Sequence, residues 1–192
     1  MPPDPTPALT EPPILTSDRL RLRGHRPEDW PDVTALWADP VVVRHISGTP
    51  STPTESWARL LRYRGLWPLL GYGYWAVEER ATGRYLGDLG FADFKRTTTP
   101  SIAGIAEAGW AFLPAAHGHG FAREALTLAL GWAATHLTAH PCFGGVRALA
   151  LIATDNHPSH RLAERCGFTV RTTVAWRDET VPLLGWGGLG WF

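Results

Sequence analysis

With 192 residues, 44% hydrophobic and 19% charged, the chain has the make-up of one well-cored globular domain, and it is too short for two full domains. Its 18 basic side chains balance 18 acidic ones, so no net field draws it to nucleic acid or to an anionic membrane. Two cysteines, Cys142 and Cys166, are too few for a disulfide-stapled secreted scaffold and point to a cytoplasmic setting, and no apolar run approaches the roughly 20 residues of a membrane span.

Met1–Pro13 holds six prolines and little that could be buried, and reads as a flexible leader to a single domain over residues 14–192. From Leu15 to Arg23 the sequence alternates, Leu20 and Leu22 against Arg19, Arg21 and Arg23, which predicts a half-buried strand. Pro27 suits a first helical position, and Trp30, Val33, Leu36 and Trp37 recur at helical spacing as far as Asp39. Thr52 and Glu55 form a capping-box pattern opening a second helix, with Trp57, Leu60 and Leu61 as its apolar stripe. Gly71 and Gly73 break the chain before strands over Tyr74–Glu78 and Tyr85–Phe91, joined by a turn at Ala81–Arg84.

A Thr/Pro-rich loop follows, then a strand over Ile105–Leu113 stopped by Pro114. A helix over Phe121–Leu137 turns Ala122, Ala125, Leu126, Ala129, Leu130 and Ala133 inward. The apolar run Val146–Ala153 is that of a strand buried on both faces. A short helix over Ser159–Cys166 stops at Gly167, and two weaker strands, Phe168–Val174 and Val181–Trp186, close the domain. The ten tryptophans enlarge the core and leave some, among Trp30, Trp37, Trp57 and Trp67, to line a pocket.

The stretch EAGWAFLPAAHGHGFAREA, Glu107–Ala125, carries the strongest chemical signal. It reads as strand, loop and helix start, with Gly118 and Gly120 where a backbone must turn tightly near a ligand. The first helical turn offers unpaired N–H donors and the positive end of the dipole, which together suit an anion. A dinucleotide fingerprint fails because Arg123 stands where a third small residue is needed, and no Gly-Lys-Ser/Thr follows for a nucleotide phosphate loop. Glycines that serve only the turn are the remaining alternative.

A second stretch, DNHPSHRLAERCGF over Asp155–Phe168, directly follows the buried strand. Together the two resemble the GNAT superfamily of N-acetyltransferases, in particular its Rim-type branch related to ribosomal-protein N-terminal acetyltransferases. The resemblance spans roughly Leu15–Trp186 and includes the opening Ser17–Arg23 segment and the Pro27–Asp39 helix. It implies one α+β domain: a central mixed, mostly antiparallel twisted sheet with a splayed strand pair and flanking helices. It also implies acetyl-CoA as cosubstrate, without a metal. The CoA pyrophosphate would lie on the backbone of His117, Gly118, His119, Gly120, Phe121 and Ala122, with Arg123 beside it. The strand end at Phe112 and Leu113 would pair with the amide-rich pantetheine arm, and Asn156 and Ser159 would line the far side of the thioester slot. Two positions depart from the pattern: His117 stands where Gln or Arg is common, and Ala163 stands where many members carry a tyrosine acid. The terminal Gly/Trp tail after Trp186 matches no part of it.

The implied chemistry is aminolysis of a thioester, in which only a neutral amine attacks. Glu107, on the strand leading into the loop, is the candidate base, and Ser159 the substitute proton donor to the departing thiolate. An exposed, solvated glutamate is the competing reading for Glu107. The expected partner is a small-molecule or peptide amine, a primary α-amine rather than a polyamine, with nucleic acid and membrane excluded and a homodimer left open. A non-catalytic acyl-CoA sensor is the rival function. His136 with His140, and His157 with His160, have ligand-like spacing but lack a supporting cluster.

Overall fold

The computed structural model describes residues 10–176 and 179–187, so most of the proline-rich leader and of the Gly/Trp tail lies outside the described residues. The last leader residues are engaged: the Trp75 Nε1–H donates to the Pro13 carbonyl at 2.8 Å, and Arg64 pairs with Glu11 at 2.8 Å.

The first predicted strand is a hairpin. β1 (Leu15–Thr16) turns into β2 (Leu20–Arg23) because the Ser17 hydroxyl accepts the Leu20 N–H and the Ser17 N–H donates to the Leu20 carbonyl, each at 3.0 Å. Leu20 and Leu22 are buried as the alternation requires, while Arg19 and Arg21 face out. Arg23, expected on the same solvated face, is buried instead. It donates to both Asp29 oxygens at 2.7 and 2.8 Å and to Glu78 at 2.6 Å. A guanidinium can be buried there only because two carboxylates complete its hydrogen bonds.

A 3-10 turn over Pro27–Asp29 leads into α1 (Trp30–Ala38); α2 (Pro40–Val43) restarts on Asp39, whose carboxylate caps Val41 and Val42. α3 (Pro53–Leu70) opens on the Thr52/Glu55 capping box. Its buried face is Ser56, Leu60, Tyr63 and Trp67, whereas Trp57 and Leu61 are 36% and 52% exposed. The large rings set this rotation: Tyr63 stacks on Tyr74 at 4.3 Å, and Trp67 meets Trp75 edge-on at 4.8 Å.

The remaining strands are β3 (Tyr74–Glu79), β4 (Tyr85–Ala92), β5 (Thr98–Thr99), β6 (Glu107–Phe112), β7 (Ala148–Leu151), β8 (Thr169–Trp176) and β9 (Glu179–Trp186). Among the described residues they form one nine-stranded sheet in the order β1-β2-β3-β4-β6-β7-β9-β8-β5. Every neighbouring pair is antiparallel except β6 and β7. Strand alternation splits the core: Trp75 and Val77 pack with α4 (Phe121–His136), and Tyr74 and Ala76 pack with α1 and α3. α4 buries Ala125, Leu126, Ala129, Leu130 and Ala133 as expected, adds Trp132, and leaves Ala122 half-buried. The short α5 (Cys142–Gly145) and α6 (His157–Arg165) flank β7 in the chain. This is the α+β architecture with helices on both sheet faces. No described helix is long and apolar enough to cross a membrane.

The Arg23 cluster yields a stability prediction. Burial alone pushes the Asp29 carboxyl up, but hydrogen bonds from Arg23 and the Arg26 N–H, with the Arg23 charge, outweigh it and hold the carboxyl below its ordinary range. A carboxyl depressed in the folded state contributes stability above its unfolded pKa, about 3.9, and loses it as pH falls through the folded value. Replacing Arg23 with Met removes the ion pair of the buried Asp29, while Glu78 keeps Arg21 at 3.0 Å, and should cost about 3–5 kcal/mol at neutral pH. Urea unfolding should show that gap narrowing in acid as the Asp29 carboxylate protonates; a pH-independent gap would mean that packing, not charge, sets the loss.

Candidate active site

β6 is fully paired on one side only. Its partner β4 matches it residue for residue from Gly87↔Phe112 to Ala92↔Glu107. On the other side β7 meets it at a single register pair, Glu107↔Leu149, with the Leu149 N–H donating to the Ala106 carbonyl at 2.8 Å. Beyond that pair no described strand covers the edge from Ala108 to Phe112. An open edge of this kind offers backbone donors and acceptors to an extended, amide-bearing ligand.

Downstream of β6, Leu113 is tied to Leu86, and a 3-10 turn over Pro114–Ala116 delivers the chain to the start of α4. The His117 ring closes this turn, its Nε2–H donating to the Phe112 carbonyl at 2.9 Å. Gly118 and Gly120 adopt φ of 79° and 78°, a left-handed backbone that side chains strain to reach. Gly120 is the N-cap of α4 and supplies no side-chain cap, so the first-turn N–H groups stay available to an anion. His119, Arg123 and both glycines are exposed, Ala122 is half-buried, and Phe121 is buried.

The sequence reading missed what holds this loop. Arg19 donates through Nε to Glu124 at 2.8 Å and through Nη1 to the His119 carbonyl at 3.1 Å, and lies 4.7 Å over the Phe121 ring. The Ser17 hydroxyl also donates to Glu124. Burial pushes the Glu124 carboxyl up, but Ser17 and Arg19 pull it net below its usual range. Glu124 stood within the quoted motif, yet its partners lie about a hundred residues upstream, beyond the reach of local spacing.

At the other end of β6, Glu107 is buried and forms a two-pronged pair with Arg96, Nε to Oε2 at 2.7 Å and Nη2 to Oε1 at 2.9 Å. Burial raises its carboxyl above the ordinary range, and the Arg96 charge and hydrogen bonds offset only part of that. The solvated-glutamate reading therefore fails: Glu107 is 6% exposed. Arg96 is itself held between the Phe94 and Trp176 rings, 4.8 and 4.6 Å from their centroids.

Glu107 faces a cleft of about 390 Å³ that it shares with Gly109, Trp110, Asn156 and Ser159. Asn156 is the N-cap of α6, its carbonyl oxygen accepting the Ser159 N–H at 3.3 Å. The Ser159 hydroxyl oxygen accepts the Trp110 indole N–H at 3.2 Å, which leaves its own proton free to be donated. Gly109 has no room for a side chain, because a Cβ there would lie 2.1 Å from the Tyr74 hydroxyl. Ala163 is wholly buried and brings no proton donor to the site.

The structure thus gathers Glu107, Asn156 and Ser159 around one cleft, and sets His117–Arg123 beyond the opposite end of β6, past Phe112 and Leu113. A second cavity of about 380 Å³ beside His136, His140 and Arg147 has no carboxylate in its lining. His136 stacks on Trp132 at 4.7 Å, and the described residues contain no group of three or more His, Cys, Asp or Glu side chains placed to hold a metal.

A family model described as an acetyltransferase (GNAT) domain matches residues 19–169. An uncharacterized N-acetyltransferase of Bacillus subtilis, YoaA, is 26% identical over 157 residues, 81% of this chain and 82% of the relative. A solved structure from Bordetella pertussis, assigned to the GnaT acetyltransferase family, superposes with a TM-score of 0.74 at 28% identity, over 92% of this chain and 100% of that one. The spermidine N-acetyltransferase of Vibrio cholerae, solved with CoA and spermine, shares the fold at a TM-score of 0.63 and 18% identity, over 88% of this chain and 95% of that one. With three-quarters of its length matched and the parted strands and glycine loop in place, the chain belongs to the GNAT family of acetyltransferases.

Proposed function

We propose that this acetyltransferase moves the acetyl group of acetyl-CoA directly to a primary amine, with Glu107 as base and Ser159 as proton donor. The observation that carries the reading is the buried Glu107 carboxylate at the mouth of the parted strands, facing the same cleft as the Ser159 hydroxyl. Acetyl-CoA supplies the activated thioester. The backbone from His117 to Ala122, with Arg123 beside it, takes the pyrophosphate, and the open edge ending at Phe112 and Leu113 takes the pantetheine amides. The free N–H groups at Gly120 and the left-handed glycines fit that assignment, since a side chain at either position would strain the loop.

The amine reaches the cleft as an ammonium and must lose a proton before its nitrogen can attack. A carboxylate whose pKa is raised by burial is a stronger base than one in water, and the Arg96 charge and hydrogen bonds offset part of that rise. As the new C–N bond forms and the C–S bond breaks, the sulfur leaves as a thiolate. The Ser159 hydroxyl, positioned by the Trp110 indole, is the one hydroxyl that the two motifs place in the cleft. It gives the thiolate its proton and takes in exchange the second proton that the nitrogen sheds as it becomes an amide. The Rim-type affiliation belongs to this proposal too. It rests on the Ser17–Arg23 segment and the Asn156–Phe168 motif, and it favours an α-amine as acceptor.

Two measurements test the roles. CoA at a hundred times its Kd should stabilise the wild type by about 2.7 kcal/mol, read as a rise in thermal midpoint. Gly120→Glu should abolish that rise, because the side chain strains a φ of 78° and places a negative charge at the anion site; a folded variant that still binds CoA as the wild type does would refute the loop assignment. Glu107→Gln should lower kcat by about 100-fold with little change in acetyl-CoA affinity. Its pH profile should also lose the acid limb, which in the wild type falls as pH drops through the raised Glu107 pKa. An unchanged limb in free-thiol release assays would remove Glu107 from the mechanism.

A further inference from the structure

The acceptor half of the cleft contains two arginines that stand outside every ion pair among the described residues. Arg59 and Arg62 lie three residues apart on α3, and both line the cleft. Arg59 lies flat on Trp37, 3.5 Å from the ring centroid, and its buried Nε has no hydrogen-bond partner among the described residues. Arg62 is 5.8 Å from the centroids of both Tyr63 and Phe94. Neither takes part in an ion pair among the described residues, whereas Arg19, Arg23 and Arg96 each do. A guanidinium stacked on an aromatic face has its plane fixed and presents its N–H edge to whatever enters.

The negative groups around them are otherwise engaged. Glu55, one turn before Arg59 on α3, feels the Arg59 charge, but its carboxylate accepts the Thr52 N–H at 2.7 Å and the Thr52 hydroxyl at 2.9 Å. Asp88, beneath the floor, accepts from Trp37 at 2.9 Å, pairs with His25 at 2.6 Å and is also hydrogen-bonded by Tyr85. Glu107 is held by Arg96, and Asp155 at the rim pairs with His45 at 3.1 Å. Glu179 is exposed on the opposite wall. Three arginines against two glutamates leave the described lining with one net positive charge, which matches a single carboxylate better than a phosphate dianion.

We propose that Arg59 and Arg62 bind a carboxylate carried by the amine acceptor, so that this enzyme acetylates amines that are also acids and disfavours polycations. The inference rests on the acetyl-transfer reading of the same cleft: the amine turns toward Glu107 and the acid toward α3. The carboxylate could be the α-carboxylate of a free amino acid or an acidic side chain next to a peptide amino terminus, and both present the same group to the arginines.

The test compares kcat/KM for leucine against leucinamide, for an amide-capped tripeptide with glutamate against glutamine at its second position, and for spermidine. At least one acid should exceed its neutral twin by tenfold or more, and the pair that does so identifies the source of the carboxylate. Arg62→Gln, an exposed position, should erase the preference without altering CoA binding; Arg59→Gln serves as the second variant if it folds despite its packing on Trp37. Calorimetric binding of N-acetyl-leucine against N-acetyl-leucinamide, and of the acetylated tripeptide pair, to the CoA complex reads the same preference without turnover. If no amine releases thiol while acetyl-CoA binds, the acetyl-transfer reading fails, and the calorimetry still decides this one. Equal handling of acid and amide in both measurements, a preference that survives Arg62→Gln, or spermidine as the best acceptor would overturn the proposal.

Discussion

The rest of the site depends on one missing set of hydrogen bonds. β6 and β7 run parallel and meet at a single register pair, so the edge of β6 beyond Glu107 is left without a strand partner. Buried or half-buried backbone groups in that state need partners from elsewhere, and a ligand carrying its own amides can supply them. The parting also opens the cleft between Trp110 on one side and the β7–α6 turn on the other, bringing Ser159 within 3.2 Å of the Trp110 indole. Had β7 continued alongside β6, Glu107 would be an ordinary buried strand residue and Asn156 only a helix cap.

Polar clusters keep the two halves of the molecule rigid around that gap. Beneath the cleft floor, Asp88 gathers His25, Trp37 and Tyr85, joining α1 to β4. Arg23 joins β2, β3 and the turn before α1 through Asp29 and Glu78. At the start of α4, Arg19 ties the first hairpin to the glycine loop through Glu124 and the His119 carbonyl. The buried Arg23 cluster spends desolvation on charged groups and offsets it through its two carboxylate partners, which favours one arrangement of these elements over others. A rigid frame of this kind suits a reaction in which two substrates must be held in contact.

Much of the fold was legible in the sequence because it rests on local rules. The capping box at Thr52, the inward stripe of α4 and the strand–loop–helix passage from Glu107 to Ala125 all formed where periodicity and turn residues placed them. Where structure and sequence differ, the reason is physical. Alternation puts Arg23 in solvent because it records a face and not whether carboxylates wait on it. Helical spacing groups Trp57 and Leu61 with Leu60 but cannot set the helix's rotation; stacking of Tyr63 on Tyr74 and Trp67 against Trp75 does. Alternation predicts one continuous first strand because the Ser17 turn depends on a side-chain hydrogen bond.

What the sequence determined by itself was the order of elements and the tight turn at Gly118 and Gly120, because backbone conformation, capping and apolar spacing act within a few residues. Asn156 and Ser159 stand out in it only through the resemblance that their motif carries. Only the tertiary structure decided which side chains meet. The pairing of Glu107 with Arg96, of Glu124 with Arg19, and of Arg59 with Trp37 instead of a carboxylate spans from 11 to 105 residues. Electrostatic and stacking contacts act through space, and nothing in the local sequence records which distant partner the folded sheet brings near.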